Sequence, residues 1–287
     1  MAGRIVYLNG DWLAEEKASI SIFDRGFVMA DSVYEVVAVL DGKLIDFDGH
    51  MARLTGSLEA LEMASPASPE ELLEVHRQLI AKNRLVMGCI YLQISRGNPG
   101  DRDFLFPDPP VPPTLVLYTQ ARPDLLDTNL AKRGLQIISL PDQRWLRRDI
   151  KTTQLLWPSM AKMLAKKAGA DDAWMVEDGL ITEGTSNNVF IVKEGQLITR
   201  ALSNAILHGI TRAAVLACAG EMGLVIEERG FSLEEALAAE EAFVTSATML
   251  VSPVVRLDGQ QIGSGQPGPV ARSLRQHYIA AARKAAC

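Results

Sequence analysis

Cysteine is scarce in this chain: Cys89, Cys218 and Cys287 are the three in 287 residues, and no two form a Cys-x-x-Cys pair. An odd number without paired spacing argues against a disulfide framework and reads as free thiols in a reducing compartment, so the expected location is the cytoplasm. The four histidines, His50, His76, His208 and His277, are scattered without metal-ligand spacing, so no metal site is expected. Basic residues are also outnumbered, 29 Lys and Arg against 35 Asp and Glu, for a formal charge of −6. A nucleic-acid surface would need clustered, uncompensated cations. The basic cluster Arg144, Arg147, Arg148 and Lys151 suits a small anion better than a polymer. No apolar run approaches membrane-spanning length, and Arg4, Asn9, Gly10 and Asp11 fall where a secretory signal would need apolar residues.

What is present supports a folded core, with 48% hydrophobic residues in a chain long enough for two modest domains. Turn dipeptides punctuate it as β-hairpins do. Asn9-Gly10 separates strands Ile5–Leu8 and Trp12–Leu13, and Asp41-Gly42 separates Val33–Leu40 from Leu44–Phe47. A helix is predicted from about His50 to Met63. Another starts at Ser68-Pro69-Glu70-Glu71, where Ser68 and Glu71 form a capping box, and runs to about Asn83. Strands Cys89–Ser95 and Thr114–Thr119 flank a long Gly-, Pro- and Asp-rich loop over 97–113, a length often given over to function. After a linker near Ala121–Asp124 come a strand (Leu135–Leu140), a helix (Leu155–Ala168), and hairpins about Asp178-Gly179 and Glu194-Gly195. A helix (Ile210–Met222), a strand (Val225–Glu228), a short helix from Ser232, a strand (Ala242–Thr245), a hairpin at Asp258-Gly259 and a last helix (Val270–Lys284) complete it. Hairpins outnumber crossovers, so the expected fold is α+β with mainly antiparallel sheets, in two domains over 1–120 and 121–287.

Gly263-Ser264-Gly265-Gln266-Pro267-Gly268 matches G-x-G-x-x-G letter for letter. The dinucleotide fingerprint also needs an acidic residue about 20 positions on. The sequence supplies no such position, so this segment reads as a loop after a hairpin.

Three other segments carry chemistry. Arg144 to Thr153 places Lys151 just ahead of a helix; Thr182-Glu183-Gly184 puts a carboxylate before small polar residues; Gly209-Ile210-Thr211-Arg212 opens a helix whose first N–H groups can hold a phosphate. Together they supply an amine for an aldehyde, a carboxylate for a pyridine nitrogen and an anion cradle, the parts a pyridoxal phosphate enzyme requires. These segments, with Asp24-Arg25-Gly26-Phe27, Val33-Tyr34-Glu35-Val36-Val37, His50-x-x-Arg53-Leu54, Phe243-Val244-Thr245-Ser246 and Ser252-Pro253-Val254, resemble the fold type IV aminotransferases, most nearly the D-amino-acid aminotransferases.

The resemblance implies pyridoxal 5′-phosphate as cofactor. It makes Lys151 the catalytic lysine that carries it, and Glu183 the carboxylate that keeps its ring nitrogen protonated. Arg53 would bind the phosphate together with Ile210 and Thr211, and Leu207 would pack on the ring. Thr248 and the backbone of Ala247 would complete the phosphate site, Ala247 standing where a Thr is common. Lys151 must spend part of the cycle neutral, which a cation beside it, such as Arg144 or Arg148, would favour. Substrate contacts fall to Tyr34, Val36, Arg102 and Phe104, with Tyr34 and Arg102 trapping the α-carboxylate. In the family the arginine loop reaches in from a neighbouring subunit, implying a homodimer. The implied partners are a small-molecule amino donor and a 2-oxo acid, exchanged in ping-pong fashion. Phe104 stands where the family commonly has a His, so an (R)-selective amine transaminase remains an alternative reading, beside a branched-chain aminotransferase, an aminodeoxychorismate lyase and a non-catalytic cofactor carrier.

Overall fold

The computed structural model describes residues 3–287, and among these the chain forms two sheets and divides into two compact units. The first runs through Pro123 and also takes in Ile150–Gln154 and Ala285–Cys287; the second comprises Asp124–Asp149 and Leu155–Lys284. Among the described residues no helix is long and apolar enough to cross a membrane, and no cluster of His, Cys, Asp and Glu could hold a metal.

The first unit contains β1 (Ile5–Leu8), β2 (Asp11–Ala14), α1 (Arg25–Met29), β3 (Ser32–Leu40), β4 (Lys43–Leu44), α2 (Phe47–Ala60), α3 (Pro69–Asn83), β5 (Gly88–Ser95) and β6 (Thr114–Ala121). Its sheet has the order β2-β1-β6-β5-β3-β4, with every pairing antiparallel. Alternation along β3 turns Val33, Glu35, Val37 and Val39 inward, fully buried, and leaves Tyr34 and Val36 half-buried on the opposite face. The Ser68–Glu71 capping box at the start of α3 forms as expected. α2 starts three residues earlier than predicted, because Asp46 adopts the left-handed conformation and sends Phe47 into the helix instead of the strand. The short α1 was not foreseen; the Asp24 carboxylate caps it by accepting from the Gly26 N–H.

The second unit contains α4 (Asn129–Arg133), β7 (Leu135–Pro141), α5 (Leu156–Lys167), β8 (Asp172–Glu177), β9 (Leu180–Gly184), β10 (Asn188–Lys193), β11 (Gln196–Thr199), α6 (Ile210–Glu221), β12 (Val225–Glu228), α7 (Leu233–Leu237), β13 (Glu241–Ser246), β14 (Leu250–Leu257), β15 (Gln260–Gln261) and α8, which runs over Pro269–Ala285. Its sheet has the order β12-β11-β10-β13-β14-β7-β8-β9, with β15 beside β14. The hairpins give antiparallel pairs, as expected, but β7/β8, β11/β12 and β14/β7 are parallel. The first two are crossovers through α5 and α6, the connection that parallel strands need. Trp174, Phe231 and Ile191 anchor the core.

The segment bearing Lys151, expected with the C-terminal domain, groups instead with the first unit. Backbone pairing is the reason. The Tyr34 N–H donates to the Lys151 carbonyl (3.0 Å), the Thr153 N–H to the Ser32 carbonyl (3.1 Å), and Val33 and Thr152 form a bridge.

The glycine-rich Gly263–Gly268 segment lies between β15 and α8. The helix terminus that a dinucleotide phosphate would occupy is taken by protein: the Val270 and Ala271 N–H groups each donate to the Glu241 carboxylate at 2.9 Å.

His76 on α3 is fully buried against Phe47, and its Nδ1–H donates to the Leu72 carbonyl (2.6 Å) while Nε2 has no partner. Burial pushes its pKa down to about 4, with the nearby His50 adding to the effect. In the unfolded chain, where the imidazole has its ordinary pKa of about 6.5, this proton is taken up first. The stability associated with neutral His76 is complete above the unfolded value and is lost as pH falls toward 4, by about 3 kcal/mol at roughly 1.4 kcal/mol per unit. Urea midpoints of wild type and His76→Gln between pH 7 and 4.5 should diverge, with the variant losing less on acidification; parallel curves would exclude His76 as a source of acid sensitivity.

Candidate active site

In the first unit, Lys151 follows the buried Ile150 and its backbone N–H donates to Ser57 Oγ on α2 (3.3 Å). Its half-buried Nζ sits 4.1 Å from the centroid of the Tyr34 ring and forms no hydrogen bond or ion pair among the described residues. A buried or half-buried ammonium ordinarily recruits a carboxylate. This one is held over a π face instead, which leaves its lone pair available on deprotonation.

Arg53 lies on α2 one turn after His50, and both side chains reach the inward-facing Glu35 of β3. Arg53 donates to the carboxylate through Nε (2.8 Å) and Nη2 (2.7 Å), and His50 through Nδ1 (2.7 Å). Burial alone would raise the Glu35 carboxyl. Arg53 and then His50 outweigh it and hold the group well below the usual carboxylate range. The fork of Arg53 is thereby fixed in orientation. Arg53, with His50 beside it, stands out in the sequence, whereas Glu35 carries no role there. The available signal was an acid at an inward position between valines, which must be paired if buried.

Also in the first unit, Val36 is half-buried on the Tyr34 face of β3, and Tyr34 stacks on Tyr91 at 5.6 Å between centroids. Arg102 and Phe104 stand exposed on the 97–113 loop, the guanidinium 5.0 Å from the Phe104 ring centroid. Neither forms a hydrogen bond or ring contact with Tyr34 among the described residues.

In the second unit, Glu183 lies near the end of β9, almost fully buried among donors. It accepts from Arg144 Nη1, from Asn188 Nδ2 (2.9 Å) and, with both oxygens, from the Leu207 N–H (3.1 Å each). Burial pushes its carboxyl upward against the opposing pull of Arg144. Arg144 is held in turn by Asp142, which also accepts from Thr182 Oγ1. Arg148 forks onto Glu177 at 2.7 Å through each Nη. Both arginines are thus paired with carboxylates of their own unit. Asp142 and Asn188 were not anticipated; Asn188 was quoted only as part of a motif.

Leu207 precedes α6, whose N-cap is Gly209 with no side-chain cap, so the Ile210 and Thr211 N–H groups lack an intrahelical partner. A Cβ on Gly209 would lie 1.9 Å from Asn188 Oδ1, so only glycine fits. Thr211 is buried, while Ala247 and Thr248 are half-buried in the turn between β13 and β14. Nearby in sequence, Thr245 Oγ1 is buried without a partner. This donor-rich, uncapped terminus has the chemistry of an anion site.

The family model "Amino-transferase class IV" matches residues 32–257. A D-alanine aminotransferase of Staphylococcus epidermidis is 35% identical over 273 residues, covering 95% of this chain and 96% of that protein. One from Listeria monocytogenes serotype 4b is 35% identical over 274 residues, covering 96% and 94%. Among solved structures, a T.th. branched-chain amino acid aminotransferase with pyridoxamine 5′-phosphate superposes with a TM-score of 0.89 at 26% identity, covering 98% of this chain and 94% of that one. The Escherichia coli branched-chain enzyme, at 24% identity and a TM-score of 0.89 over 98% and 94% of the two chains, shows the shared fold alone. A family match across most of the chain, together with relatives aligned nearly end to end, means that this chain belongs to the class IV aminotransferases.

Proposed function

We propose that this aminotransferase moves the amino group of a D-amino acid, of the D-alanine type, to a 2-oxo acid, using pyridoxal 5′-phosphate. The observation that carries the reading is the Lys151 amine, kept clear of carboxylates and set over Tyr34. The substrate class is supported by the relatives named D-alanine aminotransferase and by the Tyr34-Glu35-Val36-Val37 strand.

The donor set fits the cofactor. Lys151 would carry it, Arg53 and the N–H groups of Ile210 and Thr211 would hold its phosphate with Ala247 and Thr248, Glu183 would pair with its ring nitrogen, and Leu207 would pack on the ring. When bound, the cofactor supplies an electron sink for the pair released at the substrate α-carbon. Lys151 Nζ, once neutral, removes the α-proton of the donor and later delivers one to the α-carbon formed from the 2-oxo acid. Glu35 fixes the Arg53 fork. Asn188 and Arg144 orient the Glu183 carboxylate. Tyr34, Val36, Arg102 and Phe104 would define the substrate side, with Arg102 offering a bidentate partner for the α-carboxylate. The family resemblance assigns the loop to a neighbouring copy in a homodimer, which would also cover exposed apolar groups such as Phe27, Leu156 and Met160. Cytoplasmic residence accords with the free cysteines.

The alternative is an (R)-selective amine transaminase, favoured by Phe104, which offers no donor to a carboxylate. Adding D-alanine, L-leucine or (R)-1-phenylethylamine separately to the yellow holoenzyme and following cofactor absorbance over one turnover tells them apart. D-alanine alone should convert the cofactor, and Lys151→Ala should convert with none. Conversion mainly by the amine or by L-leucine would move the assignment to that substrate class.

The Glu35–Arg53 pair yields a second expectation. Glu35→Gln removes the charge that orients the guanidinium, and cofactor affinity should fall on the order of tenfold, the scale of one charge-assisted hydrogen bond. Equilibrium titration of the apoenzyme with pyridoxal phosphate measures it, and an unchanged Kd would remove Arg53 orientation from the account.

A further inference from the structure

The Asp24-Arg25-Gly26-Phe27 motif has no part in the proposed chemistry, yet Asp24 and Arg25 are almost fully buried. Their partners explain why. Asp24 Oδ2 accepts from Ser95 Oγ (2.9 Å) at the end of β5 and from Thr114 Oγ1 (2.7 Å) at the start of β6, so one carboxylate ties together the two stems of the 97–113 loop. The base is closed again at Gly97, where φ is +91° and a Cβ would meet the Pro112 carbonyl oxygen at 2.1 Å.

Arg25 acts on the tip. Its backbone N–H donates to the Gly97 carbonyl (2.9 Å), and its Nη1 donates to the carbonyls of Asp103 (2.6 Å) and Leu105 (3.1 Å), on either side of Phe104. Its Nε donates to Asp31 Oδ2 (2.7 Å), the same oxygen that accepts from Arg96 Nε (2.8 Å). Arg96 donates onward to the Leu61 and Glu62 carbonyls after α2, and the Phe106 ring lies 3.6 Å from its guanidinium carbon. The loop thus carries an exposed crest, Arg102 and Phe104, on a buried clamp.

We infer that Arg25 is a positioning residue for substrate selection: by gripping the carbonyls on both sides of Phe104 it fixes the height and direction at which the loop presents Arg102 and Phe104 to the α-carboxylate side of the substrate. The inference rests on the reading of that loop as substrate-binding. Two carbonyls and a carboxylate demand a planar fork, so lysine, a single ammonium, cannot replace this arginine. Asp31 Oδ2, which accepts from both Arg25 and Arg96, joins the two halves of the clamp. A clamp that places a recognition residue acts on binding more than on the proton transfer at Lys151.

The test uses the holoenzyme with Arg25→Lys, and with Phe106→Ala, which removes the stack while leaving the buried charges intact. Circular dichroism checks the fold and Arg102→Ala is the companion variant. KM for D-alanine should rise on the order of tenfold in both clamp variants with kcat within about threefold. Chymotrypsin should also cut faster after Phe104 and Leu105. An unchanged D-alanine KM in both clamp variants overturns the proposal, whatever the cleavage rate. Arg102→Ala separates the underlying reading: if it leaves KM unchanged, Arg102 is not the carboxylate contact, while a raised KM in Arg25→Lys and Phe106→Ala still supports the clamp acting through the rest of the crest.

Discussion

One lysine must keep its amine out of reach of every carboxylate in an acidic chain, and much of the polar architecture is consistent with that constraint. With 35 acids against 29 Lys and Arg, an unpaired ammonium would ordinarily find a partner. The buried and half-buried acids have other occupants. Glu35 is filled by Arg53 and His50, Asp31 by Arg25 and Arg96, and Asp142 by Arg144 and Thr182. Each pairing satisfies a carboxylate that would be costly to bury alone. Among the described residues the Lys151 amine has no ion pair and lies over the face of Tyr34.

Features encoded within a few residues of themselves were legible from the sequence. Asp41-Gly42, Asp178-Gly179 and Glu194-Gly195 adopt the positive φ angles that their hairpins demand, and Ser68 and Glu71 cap each other. What was not legible depends on partners far along the chain. The parallel pair β14/β7 joins segments more than a hundred residues apart, and nothing in either strand announces the other. The grouping of Lys151 with the first unit rests on backbone bonds to Ser32 and Tyr34, which carry no side-chain signature. α1 spans only five residues, too short for a periodic pattern to stand out.

The candidate site divides along the same line. Lys151, Glu183, Arg53 and Thr211 could be singled out because their types and order resemble a family pattern. Glu35, Asp142 and Asn188, which hold those side chains in place, went without a role because an acid or an amide in a strand gains meaning only once its partner is known. Arg144 stands out in the sequence only as a cation, and its pairing with Asp142 and Glu183 depends on residues that the sequence does not place beside it. Positioning residues are the harder class to read from sequence: their chemistry is ordinary and their location is what matters.

Asn188 shows how tightly that location is specified. Its Nδ2 donates to both Glu183 and the Leu207 carbonyl, and its Oδ1 crowds the Cα of Gly209 so closely that no side chain fits there. One amide therefore sets the acid, the residue proposed to contact the ring, and the start of α6. Excluding a side chain at Gly209 also excludes a Ser or Thr cap, of the kind that Ser68, Thr128 and Ser232 supply to α3, α4 and α7. A glycine in place of such a cap costs only a few tenths of a kcal/mol, but it leaves the first N–H groups of α6 without a side-chain acceptor. An anion bound there would meet donors that no protein side chain has already filled, so the Asn188–Gly209 contact leaves the start of α6 open to a ligand.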